Sequence, residues 1–200
     1  MNIDIQIYQH ASLAPEIGVL AEFRVRFFRE FPYLYVGTED YEQNYLADYL
    51  ANPTTRLIVA RDAGKVIGIA TGAMLSTELN IVGKVETLLQ QHGIKPHSCF
   101  YLGEIILEPE YRSRGISKQV LELLKNAGRE QGAERFCFLT VAREPNDIRC
   151  PADYISSDVI FEKYGFIKTD VSVTFEWPTI QADGQVENTA NRLYFWIDRQ

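Results

Sequence analysis

The spacing of apolar residues predicts a succession of strands and helices along the chain. Short apolar runs, alternating with polar residues or continuous, indicate strands at 3–7, 56–61, 65–75, 100–107, 135–141, 171–177 and 193–197. Apolar residues recur at helical spacing at about 12–30, 38–51, 82–91, 118–128 and 151–164. Polar, turn-rich segments, including a predicted loop at 178–189, separate these elements. Strands and helices mixed in this order indicate an α/β protein.

The stretch from Phe100 to Gly128 lies at the centre of this pattern and reads as strand, turn and helix. Its strand is largely apolar, as expected for a strand buried on both faces, but it contains Gly103 and Glu104. Pro109 ends the strand because proline cannot donate a hydrogen bond to a ladder. A carboxylate in a buried strand is costly unless it is paired or functional, which singles out Glu104.

The turn before the helix has the chemistry of an anion-binding site. The first backbone amides of a helix have no intrahelical acceptor and carry the positive end of the helix dipole. Gly115 allows the backbone to approach a phosphate closely, and Arg112 and Arg114 add positive charge. An ordinary solvated turn with two surface arginines is the alternative that local composition leaves open.

These residues also carry a resemblance to a known family. Arg112-x-x-Gly115-x-Ser117, after a strand and a proline, resembles the acyl-CoA-binding motif of the GNAT superfamily of N-acyltransferases, where glycine or alanine is usual at the position of Ser117. The sequence from Phe161 to Phe166 (FEKYGF) resembles a second motif of that family. The order of elements is similar from end to end.

The resemblance implies an α/β GNAT fold, with a central mixed, mostly antiparallel twisted sheet of about seven strands flanked by about four helices. It implies a single N-acetyltransferase domain over residues 1–200, with a predicted insertion at 76–98. The aromatic loop at 31–37 and the following helix are implied to shape the acceptor pocket. For Tyr45 and Tyr49 in that helix, simple packing is the alternative.

The activity implied by the resemblance is transfer of an acetyl group from acetyl-CoA, as cosubstrate, to an amine. Backbone groups of Ile105, Ile106 and Leu107 are implied to pair with the pantetheine arm. The residues implied to hold the pyrophosphate are Arg112, Ser113, Arg114, Gly115, Ile116, Ser117 and Lys118.

Two proton transfers accompany this reaction. The amine must be neutral, so a base is useful, and Glu104 is predicted as that base. Pairing with a structural arginine or exposure to solvent are the alternatives for Glu104, and diamine acetyltransferases have an acid at the position of Gly103 as well. Many family members have a tyrosine at the position of Phe161 that protonates the leaving thiolate. Here Tyr164, three residues later, is the predicted donor, with Tyr154 or solvent left open.

Composition limits the classes of function. The 200 residues are 46% hydrophobic with mixed charges, which describes a globular protein. The net charge of −7 disfavours nucleic acid and membrane as partners and favours a cationic acceptor. Three cysteines without a CxxC pair predict neither a metal site nor a disulfide framework, and reduced thiols indicate the cytoplasm. The first ten residues lack a signal-peptide pattern, and no apolar run approaches transmembrane length.

The sequence therefore predicts an acetyl-CoA-dependent N-acetyltransferase for a primary amine of a small molecule or a protein, without a metal. Whether the protein is a monomer or a homodimer is left open. The alternative function is a GNAT-fold module that binds or senses acyl-CoA without turnover. A phosphate-binding enzyme of another type is disfavoured, since neither a Gly-x4-Gly-Lys-Ser/Thr loop nor a Gly-x-Gly-x-x-Gly turn is present.

Overall fold

The structure, a computed structural model, describes residues 2–199, except for the side chains of residues 43–45. Its strands are β1 (Ile3–Tyr8), β2 (Arg56–Asp62), β3 (Lys65–Met74), β4 (Cys99–Leu107), β5 (Arg135–Val141), β6 (Phe166–Ile180) and β7 (Val186–Asp198). Its α-helices are α1 (Ile17–Phe27), α2 (Glu39–Ala51), α3 (Leu79–Gln91), α4 (Ile116–Glu130) and α5 (Ser157–Lys163). No helix within residues 2–199 has both the length and the apolar character needed to cross a membrane.

The strands form one mixed sheet in the order β1-β2-β3-β4-β5-β7-β6, which confirms the predicted fold class. Among the strands within residues 2–199, only β4 and β5 are parallel neighbours. Their pairing covers Cys99–Tyr101 with Arg135–Cys137 and ends there. Among the described residues, the rest of β4 pairs with β3 alone. The two parallel strands therefore separate and leave an opening in the sheet, called here the β4–β5 gap.

Helices cover both faces of the sheet. Leu57 and Val59 of β2 belong to the hydrophobic cluster that contains α1 and α2, whereas Ile58 and Ala60 belong to the cluster that contains α3 and α4. Successive side chains of a strand point to opposite faces, so each face has its own helical layer. This double coverage explains why β4 is apolar along most of its length.

Strands β6 and β7 form a long hairpin that extends beyond β5. The shorter β5 pairs with residues 193–197 of β7, while β6 and β7 pair with each other as far as Ile180 and Val186. The predicted polar loop at 178–189 is therefore too long, since within it only residues 181–185 lie outside the two strands. This part of the hairpin lies outside the main hydrophobic clusters, so its strands do not need the apolar alternation by which strands are recognised.

The outer part of this hairpin holds the aromatic loop (residues 31–37). Tyr35 forms a β-bridge with Thr179 of β6. The guanidinium of Arg143, which follows β5, donates a hydrogen bond to the carbonyl oxygen of Tyr33 at 2.8 Å. The aromatic loop and the hairpin together therefore form one wall at the end of the sheet.

Residues 76–98, predicted as an insertion, contain α3 between two short 3-10 turns. Ile81, Val85 and Leu89 share one face of α3 and are buried in the core. This segment therefore contributes to the hydrophobic core, and its status as an insertion into a single domain stays a prediction.

Candidate active site

A β-bulge in β4 sets the position of Glu104. The β3–β4 register shifts between Ala70 and Gly72, so that Gly103 and Glu104 lie opposite Thr71 alone. A Cβ atom on Gly103 would lie only 2.4 Å from the Thr71 hydroxyl oxygen, which also accepts a hydrogen bond from the Glu104 amide at 3.3 Å. Packing against Thr71 therefore explains why glycine stands where diamine acetyltransferases have an acid.

Glu104 pairs with an arginine from α1. Arg24 Nη1 lies 2.8 Å from Glu104 Oε1, and Arg24 Nε lies 2.5 Å from Glu42 Oε2. Glu42 is fully buried and accepts a hydrogen bond from the Tyr35 hydroxyl at 2.7 Å. One guanidinium thus serves two buried carboxylates, which leaves the cluster with one excess negative charge. Pairing with a structural arginine is one of the alternatives that the sequence left open for Glu104.

This cluster lines a cavity at the β4–β5 gap, where Tyr101 and Gly103 of β4 lie near Leu139 of β5. The walls are largely aromatic and include Phe28, Tyr33, Tyr49, Tyr101, Phe175 and Trp177. The carboxylates that line the cavity are Glu42, Glu78, Glu104 and Glu176. Aromatic faces and carboxylates both attract an ammonium group. The side chain of Tyr45, the other tyrosine predicted for this region, lies outside the described residues.

The two tyrosines of the aromatic loop stay protonated at neutral pH. Burial, and then the charge of Glu104, raise the pKa of Tyr33 to about 12. Burial and the hydrogen bond to Glu42 also raise the pKa of Tyr35. Both phenols can therefore donate hydrogen bonds in the cavity, but neither can take a proton from an amine at neutral pH.

Glu78, which sequence analysis did not identify, lines the cavity and belongs to the segment between β3 and α3. Burial, and then the charge of Glu104, raise the pKa of its carboxyl to about 7. A hydrogen bond from Asn52 Nδ2 at 3.2 Å acts in the opposite direction. A single glutamate in a polar segment belongs to no recognisable sequence motif. Only the position of Glu78 just after a buried strand could have identified it as a candidate site residue.

The predicted anion-binding turn precedes α4. Gly115 and Ser113 both have left-handed backbone conformations, with φ of +81° and +59°. A Cβ atom on Gly115 would meet no other atom within 4 Å, so the space beside the turn is open. Arg112 Nε donates a hydrogen bond to the carbonyl oxygen of Leu107 at 3.1 Å, which ties the turn to the end of β4. The first amides of α4, which lack intrahelical acceptors, adjoin this turn.

The other residues predicted to bind acetyl-CoA lie on either side of this turn. Ile105–Leu107 pair with β3, and on the β5 side no described strand pairs with them. In the first turn of α4, Ser117 is half-buried and Lys118 is exposed. The Arg114 guanidinium carbon Cζ lies 5.5 Å from the centroid of the Tyr111 ring. A free strand edge suits the amide groups of a pantetheine arm, and an open glycine turn at a helix start suits a pyrophosphate. The residues present therefore fit acetyl-CoA.

The predicted proton donor lies apart from the cavity. Tyr164 caps the C-terminal end of α5, is half-buried and packs against the main hydrophobic cluster, outside the set of described residues that line the cavity. The Phe161 ring packs 4.3 Å from the Phe138 ring and 5.9 Å from the Trp196 ring. Phe161 therefore belongs to an aromatic cluster of the core, and the role of Tyr164 as an acid stays a prediction.

The described residues include no group of three or more His, Cys, Asp or Glu side chains arranged to hold a metal ion. His92 and His97 are exposed, and His92 Nε2 lies 3.4 Å from the Asp170 carboxylate. Neither histidine is among the described residues that line the cavity.

Solved structures with similar folds include several acetyltransferases. A ribosomal-protein-alanine N-acetyltransferase from Brucella melitensis has a TM-score of 0.59 at 14% identity, with 98% of this chain and 99% of that chain covered. The PaiA N-acetyltransferase from Thermoplasma acidophilum, in complex with coenzyme A, has a TM-score of 0.56 at 14% identity, with 100% of each chain covered. The aminoglycoside N-acetyltransferase AAC(6')-Iy, with a CoA-containing bisubstrate analogue, has a TM-score of 0.58 at 16% identity, with 88% and 97% covered.

Sequence comparison identifies the family. No curated protein matches the chain significantly. The sequence model of the Acetyltransferase (GNAT) family matches residues 20–151, which include most of α1, all of α2, the Glu104 bulge and the anion-binding turn. The chain therefore belongs to the GNAT acetyltransferase family.

Proposed function

We propose that this chain transfers an acetyl group from acetyl-CoA to a primary amine of a small molecule or a protein. The observation that carries the proposal is the position of the cavity, which lies where β4 and β5 separate, beside the unpaired edge of β4. An amine held in the cavity would lie next to a thioester held along that edge. Closeness of this kind lowers the entropic cost of reaction between two bound molecules.

The cosubstrate side of the site is built from backbone groups. Acetyl-CoA supplies an acyl group that is activated for transfer to an amine. Backbone groups of Ile105–Leu107 would pair with the pantetheine arm and polarise the thioester carbonyl. The first amides of α4 would bind the pyrophosphate beside Gly115, with Arg112, Arg114 and Lys118 adding positive charge.

The acceptor side favours a cation. The cluster of Glu42, Arg24 and Glu104 has excess negative charge, and the aromatic walls offer their electron-rich faces to an ammonium group. An ammonium must lose a proton before its nitrogen can form a bond, so a proton acceptor is also needed. Glu104, predicted as that acceptor from the sequence, lines the cavity, but its carboxylate is already engaged by Arg24.

Release of the CoA thiol tests the proposal. Acetyl-CoA would be mixed with butylamine, diaminobutane, phenylethylamine and a short peptide with a free amino terminus. We expect thiol release above the rate without amine for at least one acceptor, together with the acetylated product by mass spectrometry. Calorimetric binding of acetyl-CoA without thiol release would instead favour the sensing module, and absence of both would contradict either function.

A further prediction concerns the proton for the leaving thiolate. If Tyr164 donates it, Tyr164→Phe should lower turnover by about 10-fold or more while acetyl-CoA affinity stays the same, because only a hydroxyl is lost. Steady-state rates with the fastest acceptor, and calorimetry with acetyl-CoA, measure the two effects. A wild-type rate in this variant would make Tyr164 a packing residue and leave solvent as the simplest donor.

A further inference from the structure

The carboxylates that line the cavity differ in their partners. Glu42 and Glu104 share the guanidinium of Arg24. Glu176 is exposed on β6. Glu78 is partly buried, and within residues 2–199 no lysine, arginine or histidine forms an ion pair with it. Within residues 2–199, Glu78 is therefore the shielded cavity carboxylate that no cationic side chain engages.

A hydrogen-bond network holds Glu78 in place. Asn52, at the end of α2, donates from Nδ2 to Glu78 Oε1 at 3.2 Å and to Thr77 Oγ1 at 3.1 Å. The hydroxyls of Thr54 and Thr77 are 2.7 Å apart, and Thr54 Oγ1 accepts a hydrogen bond from the Met74 amide at 3.1 Å. These contacts fix the segment after β3 against the end of α2, so the Glu78 side chain is held at the cavity by rigid neighbours.

We infer that Glu78 is the catalytic residue that accepts the proton of the acceptor amine, while Glu104 and Arg24 shape and charge the cavity. This inference rests on the proposed function. It gives the segment 76–98 a chemical role, since that segment supplies the proton acceptor.

The protons balance as follows. An ammonium R–NH3+ passes one proton to the Glu78 carboxylate, which leaves a neutral R–NH2. The nitrogen lone pair forms the C–N bond to the acetyl carbon, the C–S bond breaks, and the sulfur takes its electron pair and one proton. The nitrogen loses its second proton as the amide forms, and this proton offsets the one that the sulfur takes, while protonated Glu78 returns its proton to water. The products are the acetylated amine, the free CoA thiol and one proton.

The groups around Glu78 suit this task. Glu104 of β4 and Asp48 of α2 face it as negative charges, and Asn52 donates to it. With a pKa raised to about 7, chiefly by burial, the carboxylate is a stronger base than an ordinary glutamate yet is largely deprotonated above neutral pH. A base whose pKa lies near the working pH combines both properties best.

The pH dependence of the full-length enzyme tests this inference. With acetyl-CoA and the fastest amine of the panel above, wild-type kcat/KM should rise as the pH passes about 7, because Glu78 must be deprotonated to act. This rise, the limb near neutrality, is distinct from the one caused by an alkylamine of the panel, which titrates near ~10; the peptide amino terminus titrates near ~8 and is not used for this profile. Glu78→Gln should lower kcat/KM by about 10²-fold or more and remove the limb near neutrality.

Three further variants separate chemistry from structure. Glu78→Asp keeps a carboxylate and should retain the limb at a reduced rate. Glu104→Gln should lower kcat/KM and keep the limb, shifted to lower pH because the charge of Glu104 raises the pKa of Glu78. Glu86→Gln, the same change at an exposed position of α3, should leave both unchanged. Carbon-13 NMR of glutamate-labelled protein, independent of activity, should show one carboxyl that titrates near neutrality in the wild type and is missing in Glu78→Gln.

The outcomes are distinct. A limb that survives in Glu78→Gln, or one that disappears only in Glu104→Gln, would overturn the inference and leave the proposed function standing. No neutral-range carboxyl titration in the wild type would overturn it as well. Absence of thiol release by wild-type enzyme with every amine would overturn the proposed function and, with it, the catalytic role of Glu78.

Discussion

Replacing Gly115 with glutamate should weaken acetyl-CoA binding by at least about 10²-fold, equivalent to about 2.7 kcal/mol. Gly115 precedes α4 with a left-handed backbone and faces open space, so a side chain there would occupy the volume proposed for the pyrophosphate. The new carboxylate would also repel phosphate and compete for the first amides of the helix. Calorimetric titration of acetyl-CoA into the purified variant measures the change.

Gly132, just beyond the other end of α4, provides a matched control. It also has a positive φ, of +89°, and a Cβ atom there would meet no atom within 4 Å. Gly132→Glu therefore adds the same backbone strain and charge away from the predicted site, and acetyl-CoA affinity should change by less than about twofold. Equal losses in both variants would attribute the effect to strain or net charge, and wild-type affinity in Gly115→Glu would contradict the assigned site.

Replacing Arg24 with methionine should destabilise the fold by about 3–5 kcal/mol, the usual cost of leaving buried charges without their partner. Glu42 and Glu104 would face each other without a cation, and Glu42 is completely shielded from water. Such a loss is a large fraction of the ~5–15 kcal/mol by which domains are stable. Denaturant unfolding of the variant at neutral pH, compared with the wild type, gives the difference in the free energy of unfolding.

Two further variants test the cause. Arg29→Met removes a nearby exposed arginine and should change the free energy of unfolding by no more than about 0.5 kcal/mol. Adding Glu42→Gln to Arg24→Met removes one of the unpaired charges. The free energy of unfolding of the double variant should therefore fall by less than the sum of the decreases in the two single variants. Additive losses would mean that Arg24 stabilises the fold through packing and not through its two ion pairs.

Much of the fold could be predicted because its strongest signals are local. The strand, the proline, the glycine turn and the amphipathic helix of residues 100–128 lie in one continuous stretch, and each is specified by residues close in sequence. The hairpin of β6 and β7 was only partly predicted, because its outer part is stabilised by pairing with a distant loop and not by an apolar pattern.

The acceptor side of the site was largely missed for the same reason. Arg24 lies four residues from both Leu20 and Phe28 on the predicted apolar face of α1, so a cation stood where a core residue was expected. That signal could have suggested a buried partner, but the partners, Glu42 and Glu104, lie 18 and 80 residues away. The need for glycine at position 103 comes from packing between strands, because its close contact with Thr71 of β3 cannot be predicted from the sequence of β4 alone.

The wall formed by the aromatic loop and the hairpin has a consequence for folding. Tyr33 is joined to Arg143 across 110 residues and to Trp177 across 144 residues. Closing such long loops costs chain entropy before the contacts can offset it, so pairings of this kind form late. The strand and helix around Gly115, by contrast, are contiguous in sequence and can form early. We therefore expect the nascent chain to become competent to hold acetyl-CoA before it becomes competent to select an amine.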